Sequence, residues 1–294
     1  MSEQLPLLYI TSNGRSGSTL LDLLLGSHSE LWTAGELQLL DWHRRVPSER
    51  CGCSAPFNEC PFWGALQLDQ KDVILQGRYH YGHGATGVIR PKDLKNLWLP
   101  SLGTDDPDYA EASYRIARTI LRQARMEKPN TKWLVDASKT PYRLLALSRS
   151  SFFNVFAIHI TKRPEAFVHS MTRNATASTR TTLRMAMRWI VENRIIDEVL
   201  RRELPANQRM AIKYEDLATD PEKTLRKVQE KIGIPPEPLS DRFRDASNHA
   251  LFGNQMRWRR DGIKLDTKWL TEMNPTHRYI ARSATRAFSD RFGY

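Results

Sequence analysis

Nowhere in this sequence do about 18 apolar residues run together, so no hydrophobic membrane-spanning helix is expected. The opening residues, Met1 to Pro6, carry no basic segment followed by an apolar one. A secretory leader is therefore not expected, and the Asn174-Ala175-Thr176 sequon has no export route to give it meaning. Cysteine is scarce: Cys51, Cys53 and Cys60 are the only three among 294 residues, which rules out a disulfide-built scaffold and suits a reducing cytoplasm. The spacings of zinc fingers, basic leucine zippers and aromatic RNA-binding sheets are missing. So is the G-x-x-x-x-G-K-[ST] loop of nucleoside triphosphatases.

What is present is positive charge, unevenly placed. The formal net charge is +11. Arg149 to Lys213 holds 12 Lys/Arg against 5 Asp/Glu, and Arg242 to Arg286 holds 10 against 4, so the rest of the chain nets −2. Two basic blocks suit a polyanionic ligand. Nucleic acid is the other partner such charge suggests; with no recognition motif to support it, none is expected.

The most informative stretch runs from Leu7 to Leu21. Leu7-Leu8-Tyr9-Ile10 reads as a short buried strand, Ser12 to Gly17 as a turn of small residues, and the leucines from Leu20 onward as an apolar helix face. The first N–H groups of a helix have no intrahelical partner, and the helix dipole favours an anion there. Gly14 and Gly17 allow a tight turn, Ser16, Ser18 and Thr19 add hydroxyl donors, and Arg15 adds a full charge. The combination predicts a cradle for a nucleotide 5′-phosphate. Gly17 occupies the slot that the triphosphatase lysine would fill.

Three more strands are expected at Trp133–Asp136, Val155–Ile160 and Met210–Tyr214, separated by helical spacings. Apolar strands alternating with helices argue for an α/β fold, a central and mainly parallel sheet in three layers. Ligands bind such sheets at the carboxyl ends of the strands. The polar clusters Gly14–Thr19, Asp136–Lys139, Lys162–Arg163 and Tyr214–Asp216 all fall there. Residues 1–294 read as a single domain. The stretch 41–110 reads as an irregular insertion that shapes an acceptor pocket, with Trp42, Trp63, Tyr79 and Tyr81 as candidate walls. The cysteines within it, with His43 nearby, are compatible with zinc or a redox-sensitive disulfide. Their C-x-C-x₆-C spacing is not the usual paired one and favours a packed loop ahead of Pro61-Phe62-Trp63.

At these residues the chain resembles the sulfotransferases that use 3′-phosphoadenosine 5′-phosphosulfate (PAPS), in particular bacterial members. Gly14-Arg15-Ser16-Gly17-Ser18-Thr19-Leu20-Leu21 looks like their 5′-phosphosulfate loop, and the resemblance implies the P-loop nucleotide hydrolase-like fold. Lys162-Arg163-Pro164-Glu165-Ala166-Phe167-Val168-His169-Ser170 is similar to the family's 3′-phosphate motif, R-D-P-x-A-x-x-x-S, with lysine for the first Arg and arginine for the Asp. Either cation can then hold the phosphate. Tyr214-Glu215-Asp216-Leu217 resembles a segment whose tyrosine lies by the adenine. Gly253 to Trp258 resembles a late loop that closes over the cofactor and makes Arg257 a phosphate candidate. Cys-x-Cys followed by Cys-Pro-Phe-Trp also recurs in that bacterial subgroup.

The resemblance implies sulfuryl transfer to a hydroxyl of a glycan, lipid or small molecule, leaving the desulfated product PAP. Glu36 is the expected general base, and Lys139 and Arg15 the charges that stabilise the leaving group. No metal is required, because these cations supply the charge that magnesium supplies in phosphoryl transfer. A P-loop-type kinase is the alternative enzyme, and a nucleic-acid-binding protein the non-catalytic one.

Overall fold

The computed structural model describes residues 4–79, 106–172, 178–239, 243, 248–259 and 261–294. In chain order its elements are β1 (Leu5–Thr11), α1 (Ser18–Leu25), β2 (Leu31–Thr33), α2 (Leu40–Arg45), α3 (Pro61–Gly64), α4 (Gln70–Gln76), α5 (Pro107–Glu127), β3 (Trp133–Lys139), α6 (Pro141–Ser148) and β4 (Phe153–Thr161). There follow α7 (Pro164–Thr172), α8 (Thr179–Glu203), β5 (Arg209–Lys213), α9 (Tyr214–Thr219), α10 (Pro221–Ile232), α11 (Lys268–Glu272) and α12 (Pro275–Ser289).

The five strands form one sheet in the order β2-β3-β1-β4-β5, and every pairing is parallel. Side chains of a strand alternate between faces, so both faces must be covered. On β1, Leu7 and Tyr9 enter one core with Ile116 and Ile120 of α5, Leu144 of α6 and Ile196 of α8. Leu8 and Ile10 enter the opposite core with Leu20 and Leu24 of α1, Leu217 of α9 and Val228 of α10. Each fully buried aliphatic side chain contributes roughly 2 kcal/mol. A third cluster joins Phe167 of α7, Trp189 of α8 and Phe288 of α12. The three-layer α/β architecture expected from the alternation is the one observed.

Local signals place the helix starts. Asp106, Thr140 and Asp220 cap α5, α6 and α10 by accepting from backbone N–H groups, each followed by proline at the first helical position. Two features differ from expectation. β2 is a fifth strand of only three residues, too short to show a period. The stretch 41–110 is partly helical, holding α2, α3, α4 and the start of α5. Tyr81 lies outside the described residues.

One buried network ties this stretch to the sheet. The Arg143 guanidinium donates to Asp136 Oδ2 (2.7 Å), Gln76 Oε1 (2.8 Å) and Ser113 Oγ (3.4 Å), and reaches the Tyr109 hydroxyl. Arg143 and Asp136 are both fully buried, so removing one partner strands the other's charge. Arg143→Ala should destabilise the protein by about 3–5 kcal/mol in urea unfolding. The double replacement Asp136→Asn, Arg143→Met should recover part of that loss.

Candidate active site

The loop after β1 turns twice through left-handed backbone, at Arg15 (φ 70°) and at Gly17 (φ 92°), which precedes the first turn of α1. A Cβ on Gly17 would lie 2.5 Å from the Tyr214 ring, so glycine is needed for both conformation and space. Ser12, Asn13 and Ser16 are buried, and Ser16 Oγ donates to Asn13 Oδ1. Ser12 Oγ and Asn13 Nδ2 have no partner among the described residues. Buried polar atoms without partners beside a helix N-terminus suit an incoming anion.

Arg15 is exposed, and its Nε donates to Ser170 Oγ at 3.2 Å. Two motifs 155 residues apart in sequence are thereby joined side chain to side chain. Thr19 accepts at its hydroxyl from the Asn254 N–H (3.1 Å), so the late loop sits on the start of α1.

At the end of β3 the register against β1 shifts: Tyr9 pairs with Asp136, but Thr11 pairs with Lys139, leaving one extra residue on β3. This bulge is held by Thr11 Oγ1 donating to the Lys139 carbonyl (2.7 Å) and by Ser138 donating to Asp136. Ser138 also accepts from the Gln38 N–H at 3.2 Å, so its hydroxyl serves the turn. Lys139 takes φ 68°, and its ammonium pairs with the Glu36 carboxylate. Glu36 is buried. It is delivered by Gly35, whose φ of 70° and close approach to the Leu251 backbone exclude any side chain.

The two cations after β4 part ways. Lys162 is buried; its ammonium bonds Asp266 Oδ2 at 2.8 Å and lies 4.7 Å from the centre of the Tyr214 ring. Tyr214 OH accepts from the Asp266 N–H (3.1 Å), which closes a small cluster against Gly17. The Arg163 guanidinium instead lies over Trp269 (5.6 Å) and Tyr294 (5.9 Å).

Arg257 turns inward. It donates to the carbonyls of Arg50 (2.8 Å), Ala250 (3.4 Å) and Phe252, clasping the late loop to the cysteine-bearing segment. Its guanidinium is thus occupied in a way the sequence did not suggest. Trp63 is also reassigned: it is buried, donates to the His249 carbonyl and packs on Phe57 and Phe62, so it is core rather than pocket wall. Tyr79 is half-buried and bonds Asp106.

Two groups escaped the sequence reading. Asp22 is a buried acid inside the leucine run of α1, and its Oδ1 has no partner among the described residues. Burial pushes its carboxyl up to about 8; Lys139 opposes this and Glu36 adds to it. An acid amid five leucines was the available signal. His249 meets the three cysteines across nearly 200 residues, with no local signal at all.

A family model described as the sulfotransferase family matches residues 74–238. That span includes Lys139, Lys162, Ser170 and Tyr214 but not Arg15, Glu36 or Arg257. The fold is similar to that of the sulfotransferase domain from the Synechococcus PCC 7002 olefin synthase, with 20% identity over 98% of this chain and 97% of that one and a TM-score of 0.56. It is also similar to the sulfotransferase domain from the curacin biosynthetic pathway, with 20% identity over 99% of each chain and a TM-score of 0.54. No curated protein matches the chain in sequence.

The stability of the fold depends on pH through Asp22. In the folded protein its carboxyl keeps a proton until about pH 8, whereas the unfolded chain releases it near pH 4. The unfolded state then binds fewer protons between these values, so this group lowers stability as pH rises through that window. Asp22→Asn removes the effect. Its melting temperature should exceed the parent's by a margin that grows by several degrees from pH 5 to pH 8, read by scanning calorimetry. A margin independent of pH would show that Asp22 is ionised in the fold.

Proposed function

The chain belongs to the sulfotransferase family, and from that premise we propose that it moves a sulfuryl group from PAPS to a hydroxyl of a glycan, lipid or small molecule, with Glu36 as general base. The observation that carries this reading is the buried Glu36–Lys139 pair at the carboxyl edge of the sheet, one strand end away from the anion loop. It sets a proton acceptor beside a cation at a largely buried position, where charges act more strongly on a reacting group than they do in water.

The donor's fit rests on the chain's own groups. Gly17, the N–H groups opening α1, and the unpartnered Ser12 Oγ and Asn13 Nδ2 suit the 5′-phosphosulfate, with Gly14, Ser16, Ser18 and Thr19 completing the loop. Lys162, held against Tyr214, is the better placed cation for the 3′-phosphate, which would displace Asp266; Ser170 lies at the same edge through Arg15. Arg163, stacked on Trp269 and Tyr294, takes a supporting role. Arg257 acts through the loop it clasps. Tyr214 lies on the adenine side. When bound, PAPS supplies an activated sulfuryl group whose leaving oxygen belongs to a phosphate.

Glu36 takes the proton from the acceptor hydroxyl as its oxygen bonds sulfur. Lys139 and Arg15 hold the charge left on the bridging oxygen as the old sulfur–oxygen bond breaks. The reading asks no metal of this step. Trp42 and Tyr79 remain as walls for the acceptor, and residues 41–110 as the segment that shapes its pocket. No helix of the described residues is long and apolar enough to cross a membrane.

Thermal-shift assays should show stabilisation by PAP and none by ATP with magnesium; the reverse would favour a kinase. With an acceptor found by screening sulfated products in mass spectrometry, Glu36→Gln should lower kcat by about 10²–10⁴ while PAP binding stays near the parent's. Loss of PAP affinity instead would remove Glu36 from the proton step. Lys162→Ala should weaken PAP binding by about tenfold or more, a change of roughly 1.4 kcal/mol, and Arg163→Ala by less. The opposite order would assign the 3′-phosphate to Arg163.

A further inference from the structure

The cysteine segment brings its three thiols together on one side of a buried imidazole. Cys60 Sγ lies 3.5 Å from Cys51 Sγ and 3.7 Å from Cys53 Sγ. His249 Nδ1 lies 3.2 Å from Cys60 Sγ and 3.9 Å from Cys51 Sγ. All four donor atoms fall within 4.8 Å of one another, and the thiols are free. Zinc bonds sulfur at about 2.3 Å and imidazole nitrogen at about 2.0 Å, so a tetrahedral site has sulfur–sulfur edges of about 3.8 Å and sulfur–nitrogen edges of about 3.6 Å. The observed separations scatter about these edges.

The geometry points to a structural zinc site formed by Cys51, Cys53, Cys60 and His249. Three soft thiolates and one imidazole select zinc over the oxygen-seeking divalent cations. Four protein ligands close the coordination sphere, which marks a structural rather than a catalytic ion. The surroundings are built to hold the imidazole still. Phe62 and Trp32 stack on its ring at 5.1 Å and 6.1 Å, and Trp63 Nε1 donates to the His249 carbonyl at 2.7 Å. The other ring nitrogen, Nε2, faces the Glu127 carboxylate at 3.7 Å, the arrangement that orients a metal-bound histidine through its free N–H. On binding, the thiols release their protons and the imidazole stays neutral, so three thiolates around Zn²⁺ leave the site with one net negative charge.

The site joins two distant parts of the chain. Trp258 Nε1 donates to the Cys51 carbonyl (3.0 Å), and Gly52 N–H to the Ala250 carbonyl (3.1 Å). The residues that follow His249 are those that pair with Gly35, which delivers Glu36, and that bond Thr19. Zinc would therefore pin the late loop against the anion cradle from outside the reacting centre.

The test is the metal content of the full chain, purified without added metal and without a histidine tag, by inductively coupled plasma mass spectrometry. About one zinc per chain is expected. Cobalt(II) exchange should give intense thiolate-to-metal charge-transfer bands and a tetrahedral d–d spectrum. Cys53 is the exposed ligand, so Cys53→Ser should keep the fold by circular dichroism while losing zinc to a chelator that spares the parent. Glu127→Gln should weaken zinc retention by about tenfold. Metal-free protein whose thiols react at once with a thiol reagent, a cobalt spectrum lacking charge-transfer bands, or a mass lowered by the two hydrogens of a disulfide would each overturn the proposal.

Discussion

The extra residue at the end of β3 is the constraint on which the site depends. It places Lys139 in left-handed backbone, a conformation that costs a side-chain-bearing residue about 1 kcal/mol or more. The hydrogen bonds from Thr11 and within Asp136–Ser138 hold it there, and the buried Asp136–Arg143 pair anchors the turn in the core. Without the bulge, a regular strand would carry Lys139 on in the strand's alternation, away from Glu36. The strained backbone thus sits where the proposed chemistry needs a cation aimed at a carboxylate.

The cations at this edge are held in partnership. Lys139 is bound to Glu36, Lys162 to Asp266, and Arg15 to Ser170. Pairing keeps buried ammonium groups tolerable and fixes their positions in advance, which is what electrostatic stabilisation of a developing charge requires. In the proposed reaction an incoming phosphate would exchange one partner for another instead of ordering free side chains.

The rim is assembled from segments far apart in sequence. The late loop reaches back to Gly35 through Leu251, to Thr19 through Asn254, and to Arg50 through Arg257. The same loop supplies His249 to the three cysteines. Organising the loop after β1, Glu36 and the cysteine segment therefore depends on one stretch near the C-terminus, which makes the position of that stretch as consequential as the strand ends themselves.

The sequence by itself determined what depends on neighbours along the chain. Alternating apolar runs set four of the strands, caps and prolines set the helix starts, and the Gly-Arg-Ser cluster marked the turn between β1 and α1, because backbone preference and periodicity act over a few residues. The parallel sheet followed, and with it the edge where polar residues collect. Tertiary structure alone decided the direction of each side chain at that edge. It turned Lys162 toward Tyr214 and Arg163 toward Trp269, spent Arg257 on carbonyls, buried Trp63, and set Lys139 on Glu36. It also brought His249 to cysteines that local spacing alone did not complete. Those outcomes turn on register, on a single bulged residue and on packing between segments up to 235 residues apart, where no local rule reaches.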